Sequence, residues 1–334
     1  MKTSRQRFFK AVRAVVSVAL VLFAFYVAGL FDSDSRSRIL TTIRDANLAF
    51  LILSILWIPL MDVVSTIKWK SLCNARGISV RYFRLLAFYI VGRFYNLILP
   101  SSIGGDLIRI YLLGQASQRN ADAAAVVFVE RLTGVIVLLV LSAVSLLFTG
   151  LGFSRATLAV GIIAAGAGIA ALCWLLIGDM PLNLLRGVAK TSSGLFGKVL
   201  EKLAKLQVAV RAFKHHGGAL FIAIANSLLF YMFAILNVWV SVLVFQGDVS
   251  LISMVIAVPL IMFIMNIPVS LGSLGIMEFG YTVVLMQFGV NADAAFATAL
   301  LMRMKLLLAG AFGAVVYAAL GESRPDPQKV AASV

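Results

Sequence analysis

Charge is scarce in this sequence. Of its 334 residues 13% are charged, and the chain holds two histidines and two cysteines. A soluble domain of this length cannot cover its apolar residues with so few charges, so a water-soluble fold is excluded. Cys73 and Cys173, one in a basic segment and one in an apolar run, predict neither a disulfide nor a metal site, and neutral packing suits both. His215 and His216 have no ligand partners in sequence and fit an interfacial or structural place. No phosphate-binding Gly-x-x-x-x-Gly-Lys-Ser/Thr loop occurs, which excludes ATP hydrolysis of that type within this chain. No metal and no cofactor is expected.

What fills the sequence instead is hydrophobic side chain, at 61% of residues with a mean hydropathy of +1.01. Uncharged stretches long enough to cross a bilayer core of about 30 Å recur at 14–31, 132–154, 156–178, 217–247 and 249–277. A sixth, 46–67, is interrupted only by Asp62, and a seventh, 294–321, carries Arg303 and Lys305. The first follows five basic residues but is longer than the apolar core of a signal peptide. It reads as an uncleaved span with its N-terminus inside.

Basic residues outnumber acidic ones by 29 to 14, a net charge of +15. Their distribution argues for topology rather than nucleic acid. Five precede the first span, five more lie in 68–84 without an acid, and the linker 179–216 holds seven against two acids. The segment 31–45, expected outside, has three of each sign. Such a bias keeps basic loops in the cytoplasm, against anionic inner-leaflet lipid. The linker also predicts an amphipathic surface helix near 195–213.

The chain repeats itself. Asn120 opens N-A-D-A-A-A-V-V-F-V-E-R and Asn291 opens N-A-D-A-A-F-A-T-A-L-L-M-R. Upstream of each copy lies a Pro-x-Ser-aliphatic-Gly block, Pro100 to Gly104 and Pro268 to Gly272. Proline ends a helix, and the following glycines (Gly104 and Gly105, then Gly272 and Gly275) break it further. Each block therefore predicts two half-helices meeting within the membrane as a re-entrant hairpin. Counting spans from a cytoplasmic N-terminus turns the second copy upside down. The expected architecture is all-α: about six full transmembrane helices and two re-entrant hairpins in an inverted-topology repeat. Residues 1–13 form a basic cytoplasmic N-terminus, 14–320 one membrane domain with halves at about 14–150 and 156–320, and 321–334 a cytoplasmic tail. Both termini are expected in the cytoplasm of a bacterial inner membrane.

These residues resemble a known family. Pro100-Ser-Ser-Ile-Gly-Gly-Asp106-Leu-Ile-Arg109, Glu130-Arg131-Leu132, and Pro268-x-Ser-Leu-Gly with Gly275-Ile-Met-Glu278 are similar to the transmembrane region of lysylphosphatidylglycerol synthases and its flippase-like relatives. The likeness runs from about Ala14 to Leu320, although Ser273 and Met277 depart from the family's usual glycine and arginine. It implies lipid movement between leaflets. Only 321–334 follow the last span, so the soluble aminoacyl-transferring domain of the synthases is not expected.

Ionisable side chains within membrane segments cost about 2.5–3.5 kcal/mol each on insertion scales and ask for a reason. Here they are Asp62, Arg93, Asp106, Arg109, Glu130, Arg131, Glu278, Arg303 and Lys305. Asp106 and Arg109, three apart, share a helix face, and Asp106 is placed to cap its helix. Arg109 and Arg131 offer the planar paired donors that match a phosphate. Glu130 is expected to hold Arg109 or Arg93, and Glu278 to hold Arg303 or Lys305. The leading expectation is a translocase for a lipid with a phosphate-bearing or polar head group. Two others remain: an intramembrane lipid-modifying transferase using Asp106, Glu130 or Glu278, and a non-catalytic partner of a lipid-synthesising enzyme or glycosyltransferase. Internal ion pairs that merely lock helices together are the plainer account of the same residues.

Overall fold

The computed structural model describes residues 22–23, 26, 33–98, 104–147, 160, 163–164, 166–168, 170, 207–208, 210–266 and 274–320. Among these residues all regular structure is helical. The helices are α1 (Ser33–Arg44), α2 (Leu48–Ala75), α3 (Tyr82–Ile98), α4 (Gly104–Ser117) and α5 (Asn120–Leu147). A short 3₁₀ turn (Ala212–His215) precedes α6 (Gly217–Leu243), α7 (Leu251–Met265), α8 (Ile276–Gln287) and α9 (Ala292–Leu320). Four of them (α2, α5, α6 and α9) are long and apolar enough to span a bilayer.

Helix starts follow local chemistry. Asn47 caps α2, accepting the N–H groups of Ala49 and Phe50 at 3.1 and 3.3 Å. The second N-A-D-A-A block is likewise a helix start: Asn291 Oδ1 accepts Ala294 N–H at 2.8 Å, and Asp293 lies in the first turn of α9. Asp122 occupies the same place in α5, where it binds Arg76 and, at 2.8 Å, Arg119.

Among the described residues two large cores hold the bundle. Trp69, Leu72, Phe88, Leu112, Leu113 and Val126 fill the one built on α2–α5; Val238, Met254, Ile261, Tyr281, Leu285 and Ala295 fill the one built on α6–α9. The packing relations match. Within the first quartet α2 packs on α3, α3 on α4, α4 on α5 and α2 on α5; within the second, α6 packs on α7, α7 on α8, α8 on α9 and α6 on α9. Across the quartets α3 meets α9 as α7 meets α5, α5 meets α6 as α9 meets α2, and α2 packs directly on α6. Ile52, Leu56, Phe221, Ile252, Phe312 and Val315 are exposed, as suits an apolar exterior facing lipid tails.

Several expectations need correction. Helix α2 runs to Ala75, so Lys68 and Cys73, read as part of a basic loop, are buried within a helix. The segment 33–44, read as an outside loop, is helix α1, which packs on α9 with Arg38 3.5 Å from Asp293. Pro100, Pro268 and Gly272, most of the first span, of 156–178 and of the linker, and the tail 321–334 lie outside the described residues. The arms on either side of both breaks are described: α3 with α4, and α7 with α8.

Candidate functional site

The first site starts from a close crossing. A Cβ on Gly105 would stand 2.1 Å from the carbonyl oxygen of Gly92, so only glycine lets α4 approach α3 this closely. Asn96 Oδ1 takes the Gly105 N–H at 2.7 Å, satisfying a donor at the start of α4. The crossing brings Arg109 of α4 under Gly92, where an added Cβ would meet its side chain at 2.9 Å.

Arg109 is 3% exposed and clamped on both faces, its guanidinium 4.4 Å from the Trp69 ring centroid and 4.3 Å from that of Tyr89. It binds Glu130 of α5 directly and lies 3.3 Å from Asp106. Asp106 faces two guanidiniums. Arg131 donates to both its oxygens, Nε to Oδ2 and Nη2 to Oδ1, each at 2.7 Å. Asp106 lies in the first turn of α4, the position from which capping was expected, and both its oxygens are bound by arginine. Of the two partners expected for Glu130, Arg109 or Arg93, it is Arg109 that binds it, while Arg93 sits 2.6 Å from Asp62 of α2.

Lys68 was not anticipated. Buried in α2, it donates to the Glu130 carbonyl at 2.6 Å and to Ser227 Oγ of α6 at 2.8 Å. Its spacing to the next basic residue made it look like loop charge; only the packing of α2 on α5 and α6 reveals otherwise. Three carboxylates (Asp62, Asp106, Glu130) thus face three arginines (Arg93, Arg109, Arg131), and Lys68 adds one further positive charge.

Beside this cluster lies a cavity of about 230 Å³ between α2, α3, α5, α6 and α7. Lys68, Tyr89, Glu130, Arg131, Asn226 and Tyr231 are among its walls; Arg109 is not. The Arg131 side chain is 51% exposed although bound to Asp106, unlike any other arginine of the cluster. Arg131 stands about 17 Å along α5 from its start, counting 1.5 Å per residue, well inside the apolar helix.

The second quartet repeats part of this arrangement. Arg303 of α9 donates to both oxygens of Glu278 in the first turn of α8, at 2.8 and 2.9 Å. The separation in sequence is 25 residues, the same as between Asp106 and Arg131. Glu278 also takes the N–H of Gly275, whose φ of 82° belongs to glycine, at 2.8 Å. Lys305 does not reach Glu278. It donates to Asn237 Oδ1 and Ser241 Oγ of α6, both at 2.7 Å. The exposures differ between halves: the Arg303 side chain is 14% exposed against 51% for Arg131.

No solved structure matches the chain. Over 137 residues it is 22% identical to the UPF0104 membrane protein PH1989 of Pyrococcus horikoshii, covering 40% of this chain and 39% of that protein. The family model described as the lysylphosphatidylglycerol synthase TM region matches residues 11–313. With four membrane-length apolar helices and that match over most of its length, the chain is a multi-pass membrane protein of the lysylphosphatidylglycerol synthase TM region family.

Proposed function

We propose that this protein moves a lipid with a phosphate-bearing head group between the leaflets of a bacterial inner membrane, both termini facing the cytoplasm. One observation carries the reading: a half-exposed arginine and a surplus lysine share a cavity inside apolar helices. An excess positive charge in low dielectric favours an anion beside it. Arg131 is held in place by Asp106, leaving its remaining N–H groups for a phosphate oxygen. Arg109, walled off by Trp69 and Tyr89, acts behind the site by fixing Glu130 and Asp106.

An inverted-topology repeat with two re-entrant hairpins is the architecture that supports transport here. Its support is the matching set of helix pairs, the equal separation of the two acid–arginine pairs, and the glycine-bearing starts of α4 and α8. In that scheme Asp106–Arg131 and Glu278–Arg303 are corresponding latches. The unequal exposure of their arginines corresponds to one side open and the other closed. Anionic inner-leaflet lipids also bind the basic cytoplasmic segments, and a lipid-synthesising enzyme or glycosyltransferase supplies or uses the transported lipid.

The test is reconstitution. Purified protein in liposomes should carry a labelled phospholipid across the bilayer without changing its mass. Arg131→Lys should slow it while leaving the protein folded, because lysine keeps the charge and loses the fork. A product of altered mass, lost in Asp106→Asn or Glu130→Gln protein that is still folded, would establish a transferase instead. Neither product nor flipping across a broad lipid panel would leave the partner-protein reading.

A further inference from the structure

Two walls of the cavity have hydrogen-bonding capacity that no described residue uses. An ammonium has three N–H donors. Lys68 spends two, on the Glu130 carbonyl and Ser227 Oγ, and among the described residues no third acceptor is in reach. Ser227 does not compete, since its own hydroxyl proton goes to Ala223 O at 2.7 Å. Gly134, another wall residue, leaves room at the amine: a Cβ there would stand 3.6 Å from Lys68 Nζ.

Asn226 is the opposite case. It precedes Ser227 on α6, is 8% exposed and lines the same cavity, and among the described residues its side-chain oxygen accepts no hydrogen bond. A buried acceptor left unpaired costs about 1–3 kcal/mol. Native structures keep such a group where something else satisfies it. Phosphate oxygens cannot do so, because they carry no proton. The neighbouring polar group, the Tyr231 hydroxyl, donates to the Gly134 carbonyl at 3.1 Å.

We infer that Lys68 and Asn226 are the two poles of a head-group subsite, the lysine taking the phosphate and the asparagine oxygen taking a hydroxyl or amine donor beyond it. The ligand class is a phosphodiester lipid whose head group carries a hydrogen-bond donor. A phosphodiester capped by a methyl group has the same charge and lacks the donor, so it meets the lysine and leaves Asn226 unpaired. Discrimination then comes from the penalty on the wrong ligand as much as from the bond to the right one. The inference rests on the cavity being a lipid site, and binding tests it separately from movement.

Full-length protein in detergent is titrated with short-chain phosphatidylglycerol, phosphatidylethanolamine and phosphatidylmethanol, and dissociation constants are compared. The parent protein is expected to prefer a donor-bearing lipid over phosphatidylmethanol by about five- to tenfold, the factor that one hydrogen bond is worth. Which of the two donor-bearing lipids binds more tightly tells hydroxyl from amine. Asn226→Leu should bring that preference close to one while leaving phosphatidylmethanol affinity unchanged; Asn226→Ala serves where the leucine variant does not fold. Lys68→Met, or Lys68→Gln if the former fails to accumulate, should weaken all three lipids by tenfold or more. An unchanged preference in the Asn226 variants, or parental affinity in a folded Lys68 variant, overturns the subsite. Binding with this selectivity in a protein that moves no lipid upholds the subsite and removes the translocase reading. If the parent binds none of the lipids, the cavity reading falls and the subsite with it.

Discussion

Removing the carboxylate of Glu130 should be strongly destabilising, and removing its partner as well should restore most of the loss. Arg109 is enclosed at 3% exposure, bound by Glu130, with Asp106 at 3.3 Å and aromatic rings on both faces. Glu130→Gln keeps shape and one acceptor but leaves a guanidinium whose charge is answered only by an acid that Arg131 also holds. Breaking a buried pair from one side typically costs about 3–5 kcal/mol, whereas replacing both members with apolar or neutral groups is often neutral or favourable. The double variant Arg109→Met with Glu130→Gln no longer buries an unmatched charge, and methionine still fills the slot between Trp69 and Tyr89. Reversible unfolding in mixed micelles, followed for the parent, both single variants and the double, gives the coupling free energy. A coupling of at least 2 kcal/mol is expected. If the double variant is as unstable as the sum of the singles, the pair is not a closed electrostatic unit and Glu130 matters for another reason.

Gly105→Ala should destabilise by about 1–3 kcal/mol and perturb transport, since its methyl would require α3 and α4 to separate by more than 1 Å from a 2.1 Å approach. Parental stability would mean the helices do not cross this closely. Lys305→Met should be tolerated or stabilising in the same unfolding assay. Its ammonium is buried against Asn237 and Ser241 with no carboxylate bound among the described residues, so its removal relieves a lone charge at the expense of the bonds to two acceptors, of which Ser241 keeps its own bond to the Asn237 carbonyl. A loss above 2 kcal/mol would refute that balance. Cysteines replacing Asp248 or Asp293 should react with an impermeant reagent only from outside the cell. Labelling only from the cytoplasm would sink the inverted arrangement.

Hydropathy alone was enough to establish a polytopic helical membrane protein, because lipid leaves a chain no other way to satisfy its backbone. Helix ends were legible to within a few residues in α9, where the apolar stretch 294–321 is the helix Ala292–Leu320. Motifs also identified the acids and arginines, and their spacing allowed the Asp106–Arg109 contact to be foreseen. Partnership was another matter. Arg93 with Asp62 and Lys305 with Asn237 join different helices, and nothing in one helix's periodicity says which neighbour it meets; Glu130 was open to Arg109 or Arg93, and the packing of α4 on α5 gives it Arg109. Helix α1 was missed because its sequence is polar, and polar residues at helical spacing look like loop until another helix packs on them. Lys68 shows the division most clearly. A lysine directly after the apolar run 46–67 reads as the first charge of a cytoplasmic loop. Only the packing of α2 against α5 and α6 supplies the carbonyl and hydroxyl that let it stay buried as a cation. Composition and order fixed the solvent and the elements; which charges remain exposed in a cavity, and which are sealed away, was decided by helices far apart in the chain coming together.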